Sequence, residues 1–280
     1  MGRCHKDTRI LEPVAQGTTG RIANPWRRRG AIAIGAVLVA AWVVALPRII
    51  SIWPSRLTYR DIAGLAPFRE LETTGTLSTA NVLTLGMDAA KAPDPAREAM
   101  IAAVRADPCT ALFGTQTDAR LPVAFFSDFN CPNCRVLEAI LNSYDAQNPG
   151  VLRIVHHELP LLGAASTIAS QAVLAADLQG GYTAMHDRLV RARLATDLNY
   201  VVKMAESVGL DGKRLVADMQ TPQIAAALDK AKAIATVFGF YGTPSTVIGR
   251  TVFLGAIPEA DLRQIIASEL AAPTLVCSTG

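Results

Sequence analysis

Cys131 and Cys134 stand two residues apart in the stretch DFNCPNCR, residues 128–135. Such a pair supports three chemistries: a redox dithiol, part of a metal site, or a structural bridge. Redox exchange needs one thiol that meets a partner and a second, one helical turn away, that resolves the mixed disulfide. A structural zinc needs four ligands, commonly two such pairs. The nearest further donors, His156 and His157, are adjacent in a β-rich run. Adjacent strand residues point to opposite faces, so at most one of them could join the cysteines. A bridge between residues three apart closes too short a loop to stabilise much. Redox exchange is the strongest of the three readings, and metal binding is its rival.

The elements around the pair favour the same chemistry. LPVAFFS, residues 121–127, is a short apolar β-rich run and reads as a buried strand. The cysteines follow at once, and RVLEAILNSYDAQ then repeats apolar residues at Val136, Leu137, Ile140 and Leu141, a helical period. Pro132 suits the first turn of that helix, where a missing N–H costs nothing. Cys131 therefore sits at a helix N-terminus, whose free N–H groups and dipole favour a thiolate. In this setting a thiol pKa falls to roughly 3.5–7.5. VLRIVHHEL, residues 151–159, reads as a second strand, so strand, helix and strand form a βαβ unit with a parallel pair.

A long helical block follows. Its last helix starts at Thr221-Pro222 and ends at Gly239, with glycine in the usual capping place. β character returns in STVI (245–248) and TVFLG (251–255), joined as a hairpin, and IPEADLRQIIASEL makes a closing helix. Tyr241-Gly-Thr-Pro-Ser245 leads into that hairpin. A proline at a strand entrance is ordinary by itself.

The chain has 280 residues, half of them apolar, enough for one large domain or a domain with an appendage. Its net charge of +3 is unevenly placed: residues 1–29 hold seven basic and two acidic side chains. The basic excess belongs to a tail, so nothing points to a nucleic-acid-binding body. After Arg27-Arg28-Arg29 comes AIAIGAVLVAAWVVAL, residues 31–46, without a charge. As a helix it spans about 24 Å, and Ile49, Ile50, Ile52 and Trp53 can extend it toward a bilayer core of roughly 30 Å. We expect a transmembrane anchor at 30–53, its basic flank in the cytoplasm and the body beyond it. A cleaved signal peptide, cut after Val43-Val44-Ala45, and a buried soluble helix are the alternatives.

With the body exported, Cys109, Cys131, Cys134 and Cys277 meet an oxidising compartment, while Cys4 does not. An even count there invites a second pair, Cys109 with Cys277, against the alternative of two free thiols. The expected organisation is a cytoplasmic basic tail (1–29), the anchor (30–53), a spacer or small subdomain (54–107), an α/β domain (108–272) with a helical insertion at about 162–239, and a C-terminal tail (273–280).

The combination of SDFNCPNC, HHELPLLGAASTIASQAVLAADLQGGYTAMHDRL and FGFYGTPSTVIG followed by GAIPEADLRQII resembles the DsbA-like thiol:disulfide oxidoreductases over about residues 107–270. That resemblance implies a thioredoxin fold with its helical insertion between the βαβ and ββα halves. It implies Cys131 as the exposed nucleophile and Cys134 as the resolving thiol. Thr243-Pro244 would be the cis-proline loop that pairs with substrate backbone, with Pro132, Asn133 and Phe129 shaping the site. The implied partners are exported cysteine-containing proteins and a membrane redox partner that resets the disulfide. No cofactor is expected beyond the Cys131–Cys134 pair, and no metal. The expected activity is that of a periplasm-facing enzyme, an oxidase first, with isomerase or reductase as the alternative and a thioredoxin-fold metal carrier or chaperone as the different class.

Three positions bear on the direction of electron flow. Phe125 stands where the family often has a carboxylate six residues before the first cysteine. Asn133 stands where the archetype has a histidine, and it carries no positive charge. Thr243 also precedes the proline in isomerase and reductase relatives. Among other residues, His156 and His157 read as strand-edge surface histidines before catalytic bases. His186 reads as a packing or surface residue, and Phe126 and Phe129 as core and rim.

Overall fold

The computed structural model describes residues 57–72, 75–79, 94–115, 118–192, 194, 197–275 and 277, with seven scattered positions between 34 and 43. Met1–Trp53 and Pro54–Gly280 form two separate units. In the first, the described positions are helical, and Ile34, Leu38, Val39, Trp42 and Val43 are exposed. The rest of the expected anchor and all of the basic tail lie outside the described residues. Among the described residues no helix is long and apolar enough to cross a membrane.

The second unit is built on one sheet. Its strands are β1 (Tyr59–Asp61), β2 (Arg69–Leu71), β3 (Leu121–Ser127), β4 (Leu152–Glu158), β5 (Ser245–Ile248) and β6 (Thr251–Leu254), in the order β1-β2-β6-β5-β3-β4. β3 runs parallel to β4 and antiparallel to β5, and β5 runs antiparallel to β6. The helices are α1 (Pro95–Ala106), α2 (Pro108–Phe113), α3 (Pro132–Gln147), α4 (Ala164–Asp177), α5 (Tyr182–Arg191), α6 (Leu198–Ser207), α7 (Gly212–Asp218), α8 (Pro222–Phe238) and α9 (Glu259–Ala271). β3-α3-β4 and β5-β6-α9 are the two halves, and α4 to α8 form the insertion between them. This is a mixed α/β thioredoxin architecture.

The alternation of β3 explains its layers. Val123 and Phe125 face one side, with Leu137 and Leu141 of α3 and Leu262, Ile265 and Ile266 of α9. Ala124 and Phe126 face the other, with Leu112, Phe113, Ile234, Phe238 and Phe240. Every residue of β3 is buried, as a central strand with both faces covered requires. A third apolar cluster, with Ala172, Met185, Leu189, Met204 and Leu215, holds the insertion together.

Residues 54–107, expected as a spacer or small subdomain, do more than separate. The β1–β2 hairpin extends the sheet, because β2 pairs parallel with β6. Arg69 Nη2 reaches Glu269 Oε1 of α9 at 3.0 Å, and Thr251 Oγ1 donates to the same oxygen at 2.6 Å. Glu269 is buried, so the basic partner compensates its charge. The sequence gives no clear period here because three-residue strands are too short to show one. The structure also bonds Cys109, in α2, to Cys277, with Cα atoms 5.2 Å apart. Cys277 packs against the core of that face, which Leu275 joins.

Candidate active site

Cys131 is the N-cap of α3. Its Sγ accepts the backbone N–H of Cys134 at 3.1 Å, which satisfies one of the helix's free donors. The Cys131 thiol also stands 3.5 Å from the carbonyl oxygen of Thr243, and the Thr243–Pro244 peptide is cis. The structure holds both cysteines as free thiols. Hydrogen bonding with the Cys134 thiol, helped by the Ser78 hydroxyl and Thr243 and opposed by burial, lowers the Cys131 pKa from about 9 to about 6. Burial pushes the Cys134 thiol far up. The pair is thus split into one thiol that ionises near neutrality and one that stays protonated, the division that nucleophile and resolving group require.

The loop that presents Cys131 is fixed by Asp128, which the motif reading quoted without assigning a role. Its buried carboxylate accepts N–H groups from Asn130 at 2.8 Å and from Leu161 and Leu162 at 2.9 Å each. It therefore ties the exit of β3 to the exit of β4, and its own carbonyl accepts the N–H of Cys131 at 2.9 Å. Arg135 Nη2 donates to the Phe129 carbonyl at 2.7 Å, and the Phe129 ring meets His186 edge-on with centroids 5.3 Å apart.

Expected as an exposed nucleophile, Cys131 has 0% of its surface exposed. Residues 75–79 contribute to this cover: they lie against the site as a short bridged segment, and the Ser78 side chain reaches the Cys131 thiol. Ser78 donates its N–H to the Thr243 carbonyl at 2.8 Å and accepts the Thr243 N–H at 2.9 Å. Thr76 exchanges the same pair of bonds with Ala256, at 3.1 and 2.9 Å, and Gly75 N–H donates to Leu254 at 2.7 Å. Asn133 Nδ2 donates to Ser78 Oγ at 3.0 Å. The backbone edge of Thr243 expected to receive a substrate is therefore occupied by the chain itself. Gly75 is required for this approach, since a Cβ there would overlap the Ala256 carbonyl.

The histidines sit differently from the expectation of a strand-edge surface. His157 stacks on Phe126 with centroids 4.4 Å apart, and its Nε2 bonds the Leu112 carbonyl at 2.7 Å. His156 packs edge-on against Phe125 and lies with its ring centroid 4.5 Å from that of His186. Strand parity separates the two, as the sequence implied. Although β4 is an edge strand, helices cover both its faces, and burial lowers the pKa of His156 to about 3 and of His157 to about 4. His186 is buried, with its pKa lowered to about 4 by the same cause. Two buried acids that the motif reading missed adjoin them. Burial raises Glu138 to about 7 and Glu158 to about 8. Glu138 carried a signal in the sequence: it stands one residue after Leu137 and three before Leu141, on the buried stripe of α3. Among the described residues, the one grouping of possible metal ligands is Glu138, His156 and His186, and neither cysteine belongs to it.

A dithiol at a helix N-terminus, faced by a cis-proline loop on a βαβ–ββα sheet, defines a thioredoxin-fold thiol:disulfide oxidoreductase domain. Comparison with known proteins narrows the class. The family described as DSBA-like thioredoxin domain matches residues 122–267, just over half of the chain, and the chain belongs to that family. A thioredoxin-like oxidoreductase from Silicibacter pomeroyi DSS-3 is 31% identical, with a TM-score of 0.55, and the match covers 59% of this chain and 99% of that one. The catalytic domain of Proteus mirabilis ScsC is 26% identical, with a TM-score of 0.52, covering 63% and 99%. Among curated proteins, the Na(+)/H(+) antiporter NhaA of Herminiimonas arsenicoxydans is 27% identical over 128 residues, which are 46% of this chain and 20% of the antiporter.

Proposed function

We propose that this protein is a membrane-anchored, periplasm-facing thiol:disulfide oxidoreductase that oxidises exported cysteine-containing proteins through Cys131 and Cys134. The observation that carries this reading is the split of the pair, with Cys131 ionising at about 6 and Cys134 held protonated. Stabilising the Cys131 thiolate stabilises the reduced pair, which makes the disulfide a better oxidant. The uncharged run at residues 31–46 behind a basic flank, with exposed apolar side chains at its described positions, supports the anchor.

In the oxidising direction a substrate thiolate attacks Cys131 Sγ of the disulfide, and Cys134 leaves as a thiolate and takes up a proton. The second substrate thiolate then attacks the substrate's own sulfur in the mixed disulfide. The substrate disulfide departs, Cys131 leaves as a thiolate, and two electrons stay on the pair until a membrane redox partner removes them. Substrate backbone docks on the N–H and carbonyl of Thr243, so residues 75–79 must first leave that edge. Pro132 and Asn133 at the start of α3 border the entrance.

The equilibrium potential of the Cys131/Cys134 couple against glutathione tests the direction. A value near about −120 mV supports the oxidase, and one near about −270 mV makes the protein a reductase.

A further inference from the structure

Beneath the dithiol lies a buried polar cluster that disulfide exchange does not use. Glu138 sits one turn beyond Cys134 on α3, His156 on the α3-facing side of β4, and His186 on α5 of the insertion. One ligand atom from each lies within 4.8 Å of the other two. His186 Nε2 stands 3.5 Å from Glu138 Oε1, close to the roughly 3.3 Å edge of a tetrahedron with bonds of about 2.0–2.1 Å. Glu138 and His186 are 5% exposed. His186 Nε2 and His156 Nδ1 are buried without a hydrogen-bond partner, a costly state for polar atoms unless something else satisfies them. The Tyr182 ring stacks on His186 with centroids 5.5 Å apart, and its hydroxyl donates to Glu158 Oε1 at 2.9 Å. His156 is half-buried as a residue, while its Nδ1 is fully covered.

We propose that Glu138, His156 and His186 form a site for a divalent cation of the zinc class, separate from the dithiol. Two imidazoles and one carboxylate are a donor set suited to such an ion, with a fourth position left for water. The three ligands come from the catalytic helix, the sheet and the helical insertion. A bound ion therefore clamps the insertion to the helix that carries both cysteines.

The test uses the full chain, oxidised so that Cys131 and Cys134 are a disulfide and cannot bind metal, and freed of metal with a chelator. Zn²⁺ is titrated by calorimetry, and Co²⁺ by its visible absorption. The expected result is one equivalent bound, with a rise in the melting temperature. Glu138→Gln and His186→Ala should each weaken binding by about 100-fold or more, since loss of outer-shell partners alone costs about 10- to 100-fold. Glu138→Gln keeps the side chain's shape, and its metal-free melting curve shows whether the fold is intact. Absence of stoichiometric binding by the oxidised chain overturns the proposal. So does binding by a folded Glu138→Gln variant equal to that of the unsubstituted chain. Both outcomes are independent of whether the dithiol exchanges disulfides.

Discussion

Residues 75–79 close the site, and the strength of that closure can be worked out. Five backbone hydrogen bonds dock the segment, and Leu77 packs against the core. At about 0.5–1.5 kcal/mol net each, the bonds contribute about 2.5–7.5 kcal/mol. Burying Leu77 adds at most about 1.5–3 kcal/mol. Ordering five residues costs about 5–10 kcal/mol of backbone entropy. The terms nearly cancel, so the segment lies near an opening equilibrium that a single bond can shift. Ser78→Pro removes the N–H donated to Thr243 and the hydroxyl that accepts from Asn133. The loss of about 1–3 kcal/mol should raise access to Cys131 by about 5- to 150-fold. Gly75→Ala should act the same way from the other end, by collision with Ala256, without touching Ser78. The assay is the rate of iodoacetamide alkylation of the reduced protein, read by mass spectrometry. It is run at about pH 8, where the Cys131 thiolate is fully formed and the Cys134 thiol is not. One adduct should form at Cys131, read on its own peptide and apart from any at Cys4, and it should form faster in both variants. If both variants fold normally and alkylate within about twofold of the unsubstituted rate, the segment does not guard the nucleophile.

Other outcomes follow from the same geometry. Thiolate absorbance of reduced protein should titrate at about 6 for Cys131 and vanish in Cys131→Ser. Because folding lowers this pKa, its contribution to the reduced state is full above about 9, falls as pH drops toward about 6, and is absent below. The melting temperature of reduced minus oxidised protein should therefore rise with pH across that window. Asp128→Ala leaves three backbone N–H groups without their charged acceptor and should cost about 2–4 kcal/mol, read by urea unfolding. Cys277→Ser opens a loop spanning 168 positions and should lower stability by about 2–5 kcal/mol, whereas the rate of alkylation at Cys131 should hardly change.

What was legible in the sequence was what is local. The run from Leu121 to Gln147 carries its strand, its cap and its helix in consecutive residues, so Cys131 could be placed at a helix start without any tertiary information. Thr243-Pro244 is legible only through the family resemblance, because a proline before a hairpin and a final helix is ordinary by itself. The closing segment was not, because residues 75–79 have no period of their own. All but one of their bonds named above are backbone bonds, to Thr243, Leu254 and Ala256, which no side-chain pattern reports. The buried Glu138–His186 contact was half legible: an acid on the apolar stripe of α3 can be seen, but its partner on α5 is brought there only by the packing of the insertion. The histidines of β4 depart from the surface expectation for a related reason, since an edge strand is exposed only when nothing covers its faces.

The most direct test of the central claim is a trapping experiment. Cys134→Ser keeps the nucleophile and removes the resolving thiol, so an attack at Cys131 has no second step. Incubated in reduced form with a peptide that carries one activated disulfide, this variant should accumulate a mixed disulfide through Cys131, while the Cys131→Ser variant should not. The unsubstituted chain should release the peptide thiol and form Cys131–Cys134. If Cys134→Ser yields no adduct at Cys131, or the unsubstituted chain cannot close its disulfide, the pair is not a disulfide-exchange site.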